Sequence, residues 1–228
     1  MSIVEGSDFK ANRVMAGSGG GFVSKEIKAS RPTLREFPYT LESARKDEYP
    51  VFMAQGLLHY IFEISKSGNV AYEHYGLVLG WYNHDPNRQI SWVELNYVID
   101  TPPGISSGPT RVGVTHQERS RMAKAFDEVK KLPLYEGEAL AGWWHSHPNL
   151  GIFYSPTDEN TQREIWRAPW QIGIVVDPIR NDFGVFQGPD SKRIIPNIIN
   201  TDNWQIPNQK MPTEGPLLLP YKQSIVNV

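Results

Sequence analysis

Residues 142–158 read Gly142-Trp143-Trp144-His145-Ser146-His147-Pro148-Asn149-Leu150-Gly151-Ile152-Phe153-Tyr154-Ser155-Pro156-Thr157-Asp158. Ala139 to Ser146 is an apolar, aromatic run of strand length. Pro148 cannot donate to a ladder, so the strand ends at the second histidine. Asn149-Leu150-Gly151 then turns the chain. Ser155 suits an N-cap, Pro156 the first helical position and Asp158 the third, which predicts a helix running to about Trp166. One stretch therefore carries a core strand, a turn and a helix start.

The flanks repeat this alternation. Met53, Leu57, Leu58, Ile61, Phe62 and Ile64 recur at helical spacing, and Gly68 sits near where that helix ends. Tyr75 to Tyr82 and Ile90 to Asp100 read as buried strands. Thr115 to Lys131 reads as an amphipathic helix with Met122, Ala125, Phe126 and Val129 inside. Gln171 to Val176 is a core strand, broken at Asp177-Pro178 and resumed from Phe183 to Gln187. The pattern predicts an α/β sandwich of two or three layers with a mixed sheet. Residues 1–50 read as a partly flexible N-terminal extension containing the Gly17 to Gly21 link, and 51–190 as the main domain. Residues 191–228 read as a proline-rich, extended tail with at most a short strand.

Composition removes several function classes. The chain has 228 residues, enough to bury roughly 70% of its unfolded surface without a staple. A metal site here is thus expected to serve chemistry. The net charge of −2 offers nothing to nucleic acid or an anionic membrane. The absence of cysteine excludes a thiolate nucleophile, a disulfide scaffold and an all-cysteine zinc site. No apolar run is long enough for a membrane span, and Met1 to Lys10 lacks a signal-peptide core. A soluble cytoplasmic protein is the expectation.

His145 and His147 stand two apart at a strand end, so both imidazoles leave one face and can share a metal ion. If the first turn of the following helix points back at them, Asp158 becomes a third ligand. Two histidines and a carboxylate leave one corner of a tetrahedron open, as in catalytic zinc sites. Bound zinc brings the pKa of water to about 7. Glu73, just before a core strand, is the candidate general base. Ser155 is the candidate oxyanion donor. Each feature also has an ordinary reading: Ser-x-x-Asp is commonly a plain capping box, and single strand histidines and surface glutamates are common. The joint spacing favours the metal.

His145-x-His147-Pro148, with Ser155 and Asp158 at their offsets, resembles the JAMM motif of MPN-domain metalloproteases. Glu73 ahead of Gly76-Leu77-Val78-Leu79-Gly80 resembles that family's upstream glutamate, and Asn160-Thr161-Gln162 and Val175 to Pro178 are similar to its proteasome-lid branch. The resemblance covers roughly Val51 to Gln187. It implies an MPN (JAMM, cytidine-deaminase-like) sandwich with a mixed, mostly antiparallel sheet flanked by helices. It implies Zn(2+) held by His145, His147 and Asp158, with Glu73 moving the proton and Ser155 supporting the tetrahedral intermediate. It implies cleavage of the (iso)peptide bond after the C-terminal glycine of ubiquitin or a ubiquitin-like protein, with cognate E1/E2-like enzymes as further partners. Precursor processing of a ubiquitin-like or sulfur-carrier protein and a non-catalytic MPN scaffold are the alternatives. Two gating loops are expected, near Asn83 to Gln89 and near Thr101 to Arg111.

Overall fold

The computed structural model describes residues 32–39, 49–67, 70–100, 116–131, 135, 137–199 and 218–220. In chain order the elements are β1 (Thr33–Leu34), β2 (Val51–Ala54), α1 (Gln55–Lys66), β3 (Tyr75–Asp85), β4 (Ile90–Asp100), α2 (His116–Val129) and β5 (Ala139–Ser146). They continue with α3 (Pro156–Ile165), β6 (Ile172–Asp177), β7 (Asp182–Gln187), β8 (Lys192–Ile194), β9 (Asn197–Ile199) and β10 (Leu218–Pro220). The strands form one mixed sheet in the order β8-β7-β6-β5-β3-β4-β2-β9, with β1 on β3 and β10 on β4. The long central pairs β3–β4 and β3–β5 are antiparallel. The β5–β6 pair, whose strands are joined through α3, is parallel.

Both faces of the sheet are covered. On one side Leu57, Tyr60, Ile61 and Ile64 of α1 pack with Val78, Val98, Trp144 and Ile174. On the other, Ala125 and Val129 of α2 pack with Tyr75, Leu77, Ile99, Trp143 and Trp166. The sandwich therefore has three layers. Trp143 and Trp144 are both fully buried, one in each core, so neither lines an open cleft. No helix among the described residues is long and apolar enough to cross a membrane.

Three expectations change. Met53 lies in a strand, not a helix: Val51 to Met53 pair with Val93 to Leu95 of β4, and this pairing captures the residue that helical spacing had claimed. β3 runs on to Asp85, so the segment Asn83 to Gln89 is a strand end and a tight turn. That turn lies roughly 30 Å along β3 from its first residue, which is the end that meets His145, so it is no gate for the histidines. The tail supplies three short strands instead of one at most, because β8, β9 and β10 find partners in β7, β2 and β4. The second expected loop, Thr101 to Arg111, lies outside the described residues, as do Gly17 to Gly21, a possible strand at Phe22 to Ile27, and Gly68.

Part of the N-terminal extension is tied to the sheet. Thr33 and Leu34 pair with Asn83 and His84. The Phe37 N–H donates to the buried Asp85 carboxylate at 2.9 Å. Arg35 meets Glu94 at 3.0 Å, and Phe37 packs edge-on against Trp92.

A bulge sets the face of β5. Val78 pairs with Gly142 but Leu79 with Leu140, so Ala141 is an extra residue. Without it, Trp144 rather than His145 would stand opposite Tyr75. Gly142 permits the bulge, because a Cβ there would lie 1.8 Å from the Ile172 carbonyl oxygen.

Candidate metal centre

His145, His147 and Asp158 converge, because the first turn of α3 does point back at the histidines. All three are buried. The two Nε2 atoms are 3.1 Å apart. Asp158 Oδ1 lies 3.5 Å from His145 Nε2, and Oδ2 lies 3.7 Å from His147 Nε2. Ligands about 2.0–2.1 Å from a tetrahedral zinc would be separated by roughly 3.3–3.4 Å. The separations lie near that value, with the carboxylate turning a different oxygen to each imidazole, so the donor set is of a size to hold the ion. A shared proton would relieve the contact between the two nitrogens, but a cation satisfies the carboxylate oxygens as well. Among the described residues this is a group of ligating side chains whose donor atoms lie within 4.8 Å of one another.

Protonation states suit a metal. Burial pushes the His145 imidazole down from its usual range, against the pull of Asp158, so its lone pair is free at neutral pH. Burial opposes the charge on Asp158, but His145 and hydrogen bonds from His145, His147 and Ser155 outweigh it and hold the carboxyl below the usual range.

Local structure aims each group. Antiparallel pairing sets Tyr75 opposite His145. One residue on, His74 and Ser146 are joined twice, by Ser146 N–H to the His74 carbonyl at 2.8 Å and His74 N–H to Ser146 Oγ at 2.8 Å. Glu73 stands one residue before this junction and His147 one residue after it. Glu73 is 6% exposed, so it is no surface glutamate. Ser155 does cap α3: its backbone N–H donates to Asp158 Oδ2 at 2.7 Å, and Asp158 N–H donates to Ser155 Oγ at 3.3 Å. The capping box and the metal reading thus coexist, because the box clamps the carboxylate that faces the histidines.

No family model matches the chain. The Drosophila melanogaster 26S proteasome non-ATPase regulatory subunit 14 is 28% identical over 153 residues, covering 67% of this chain and 46% of that protein. The Saccharomyces cerevisiae ubiquitin carboxyl-terminal hydrolase RPN11 is 33% identical over 85 residues, covering 37% and 27% of the two. The COP9 signalosome complex subunit 5 of Caenorhabditis elegans is 31% identical over 86 residues, covering 34% and 23%. The relatives of this chain are JAMM/MPN proteins. The chain spans less than half the length of each of these relatives. A JAB1/MPN domain protein from Archaeoglobus fulgidus superposes with TM-score 0.38 at 16% identity, covering 66% of this chain and 98% of that one.

The loop after His147 is pinned by a residue whose role spacing does not reveal. Asp177, fully buried at the end of β6, accepts from Asn149 N–H at 3.1 Å and Gly151 N–H at 2.9 Å. It also accepts from Ile179 and Arg180 N–H, each at 3.0 Å. Burial disfavours its charge, but these backbone donors outweigh that and lower its pKa. An aspartate at a strand end before Pro178 was the available signal, read only as a breaker. Asp177→Ala should cost about 2–3 kcal/mol by stranding these donors, measured by urea unfolding. Because the folded pKa lies below the unfolded value, this contribution is present above about pH 4 and fades as pH falls through the folded pKa. The alanine variant should lack that part of the acid dependence.

Phe153 stays 45% exposed with its ring 4.7 Å from that of His147, whereas Tyr154 packs inward on Phe186 at 4.0 Å. Gly173 makes room for Tyr154: a Cβ there would lie 1.7 Å from the tyrosine oxygen and 2.9 Å from Trp143 Nε1. Phe186 blocks retreat of the ring, so Gly173→Ala should destabilise by about 1–3 kcal/mol, read as a drop in urea midpoint.

Proposed function

We propose that this chain is a zinc-dependent peptidase that hydrolyses the (iso)peptide bond after the C-terminal glycine of ubiquitin or a ubiquitin-like protein. The observation that carries the reading is the convergence of His145, His147 and Asp158, with donor atoms 3.1, 3.5 and 3.7 Å apart, beside the His74–Ser146 junction that Glu73 precedes by one residue. Similarity to RPN11, whose name records hydrolysis at a ubiquitin carboxyl terminus, supports the substrate class.

A zinc ion held by the three ligands supplies Lewis acidity and a water nucleophile near neutral pH. Glu73 takes a proton from the attacking water and returns it to the leaving amine, as one carboxylate can do in both directions. The Ser155 hydroxyl donates to the oxyanion as the carbonyl carbon becomes tetrahedral. Residues 51–190 form the peptidase unit in this reading, and the strands from 32–39 and 191–220 extend its sheet. The protein is cytoplasmic, and its partners are the ubiquitin-like protein, its conjugates and the E1/E2-like enzymes that make them.

Purified protein incubated with a ubiquitin-like protein joined to a lysine side chain, and separately with a linear fusion, tests the proposal. Cleavage after the terminal glycine that stops with a zinc chelator and returns with zinc is the expected result. Preference for the linear fusion would assign precursor processing. No cleavage of either by zinc-loaded protein would refute the proposal.

A further inference from the structure

Gln162 is fully buried in α3, four residues after Asp158, so the two side chains leave the same face of the helix. Trp143 precedes His145 by two in β5, so these also share a face. The two elements meet in a two-rung ladder. Asp158 faces His145 on one rung at 3.5 Å, and Trp143 Nε1–H donates to Gln162 Oε1 on the other at 2.8 Å. The same oxygen accepts the Tyr154 hydroxyl at 3.2 Å, from the loop that leads into the Ser155 cap. Both donors flank the metal cluster. The Trp143 indole lies flat on the His145 imidazole, centroids 4.4 Å apart at 17°, and the Tyr154 ring tilts beside it at 5.8 Å.

A buried glutamine that satisfies an indole is the plain alternative, and it leaves one fact unexplained. Gln162 Nε2 is buried without a hydrogen-bond partner among the described residues. An orphaned donor costs about 1–3 kcal/mol. The amide is thus kept at a cost, and what it provides is an oxygen that two donors share.

We propose that Gln162 is a positioning residue for the metal cluster: its oxygen holds Trp143 and Tyr154 against His145 and fixes the register of α3 on β5, so that Asp158 meets both imidazoles. The proposal rests on the metal reading above and deepens it. It treats Trp143 as a backing plate for His145, with α3 and β5 locked together at the level of the ligands.

The test compares full-length wild type, Gln162→Leu and Gln162→Glu by zinc affinity in competition with a chelating indicator, by the visible spectrum of the cobalt(II) form, and by unfolding of the metal-free protein. Leucine removes the acceptor and glutamate keeps it. Gln162→Leu should stay folded, bind zinc at least about tenfold more weakly and shift the cobalt spectrum, while Gln162→Glu should stay within about threefold of wild type. Wild-type affinity and spectrum in Gln162→Leu would overturn the proposal, as would a glutamate variant as impaired as the leucine one. Should Gln162→Leu not fold, Trp143→Phe keeps the stacking ring and deletes its donor; it should weaken zinc binding, and unchanged affinity and spectrum would overturn the idea equally. A wild-type protein that takes up no zinc would sink the metal reading itself, a separate outcome.

Discussion

Glu73→Gln protein should bind zinc like the wild type and cleave its substrate roughly 10²–10⁴-fold more slowly, the usual worth of a positioned general acid–base. The substitution preserves shape and removes the group that accepts the proton. Glu73 is buried, and the next residue, His74, is tied to the strand that carries the histidines by one backbone bond to Ser146 and one bond to its hydroxyl. Glutamine at this position leaves the three proposed ligands untouched, so metal content separates a lost base from a lost site. Turnover at the wild-type rate would remove Glu73 from the chemistry.

His147→Ala should release zinc to a chelator far more readily than any variant outside the ligand set. Changes beyond the ligands cost roughly 10–100-fold in metal affinity, and loss of a ligand should exceed that. Only one imidazole and the carboxylate would remain. The strand should survive, because the His147 N–H to Val176 carbonyl bond at 2.8 Å uses backbone alone. Circular dichroism should therefore match the wild type while competition for zinc and cleavage both fail. A variant that kept its zinc would exclude His147 as a ligand.

The candidate site was unusually open to reading from sequence, for a local reason. His145 and His147 share a strand, and Ser155 and Asp158 share one helical turn, so fixed periodicities place them in pairs. Whether the two pairs meet depended on the loop between, and there Asp177 acts from another strand, 26 residues beyond Gly151. Glu73 precedes a strand whose register against β5 a single-residue bulge at Ala141 decides. No periodicity announces a bulge, although Gly142 marks it. The misread elements share one cause. Met53 fits a helix on spacing and a strand on pairing, and only the position of β4 chooses between them. Likewise β8, β9 and β10 are three residues each, too short for a pattern, and exist because open sheet edges accept them. Local order was legible; partners distant in sequence were not.

The most direct test of the account is the metal content of purified wild-type protein after equilibration with zinc and removal of free ion, beside His145→Ala, His147→Ala and Asp158→Ala measured identically. The account predicts about one zinc per wild-type chain and a marked loss in all three variants. Wild-type protein without zinc, or variants that retain it in full, would contradict it.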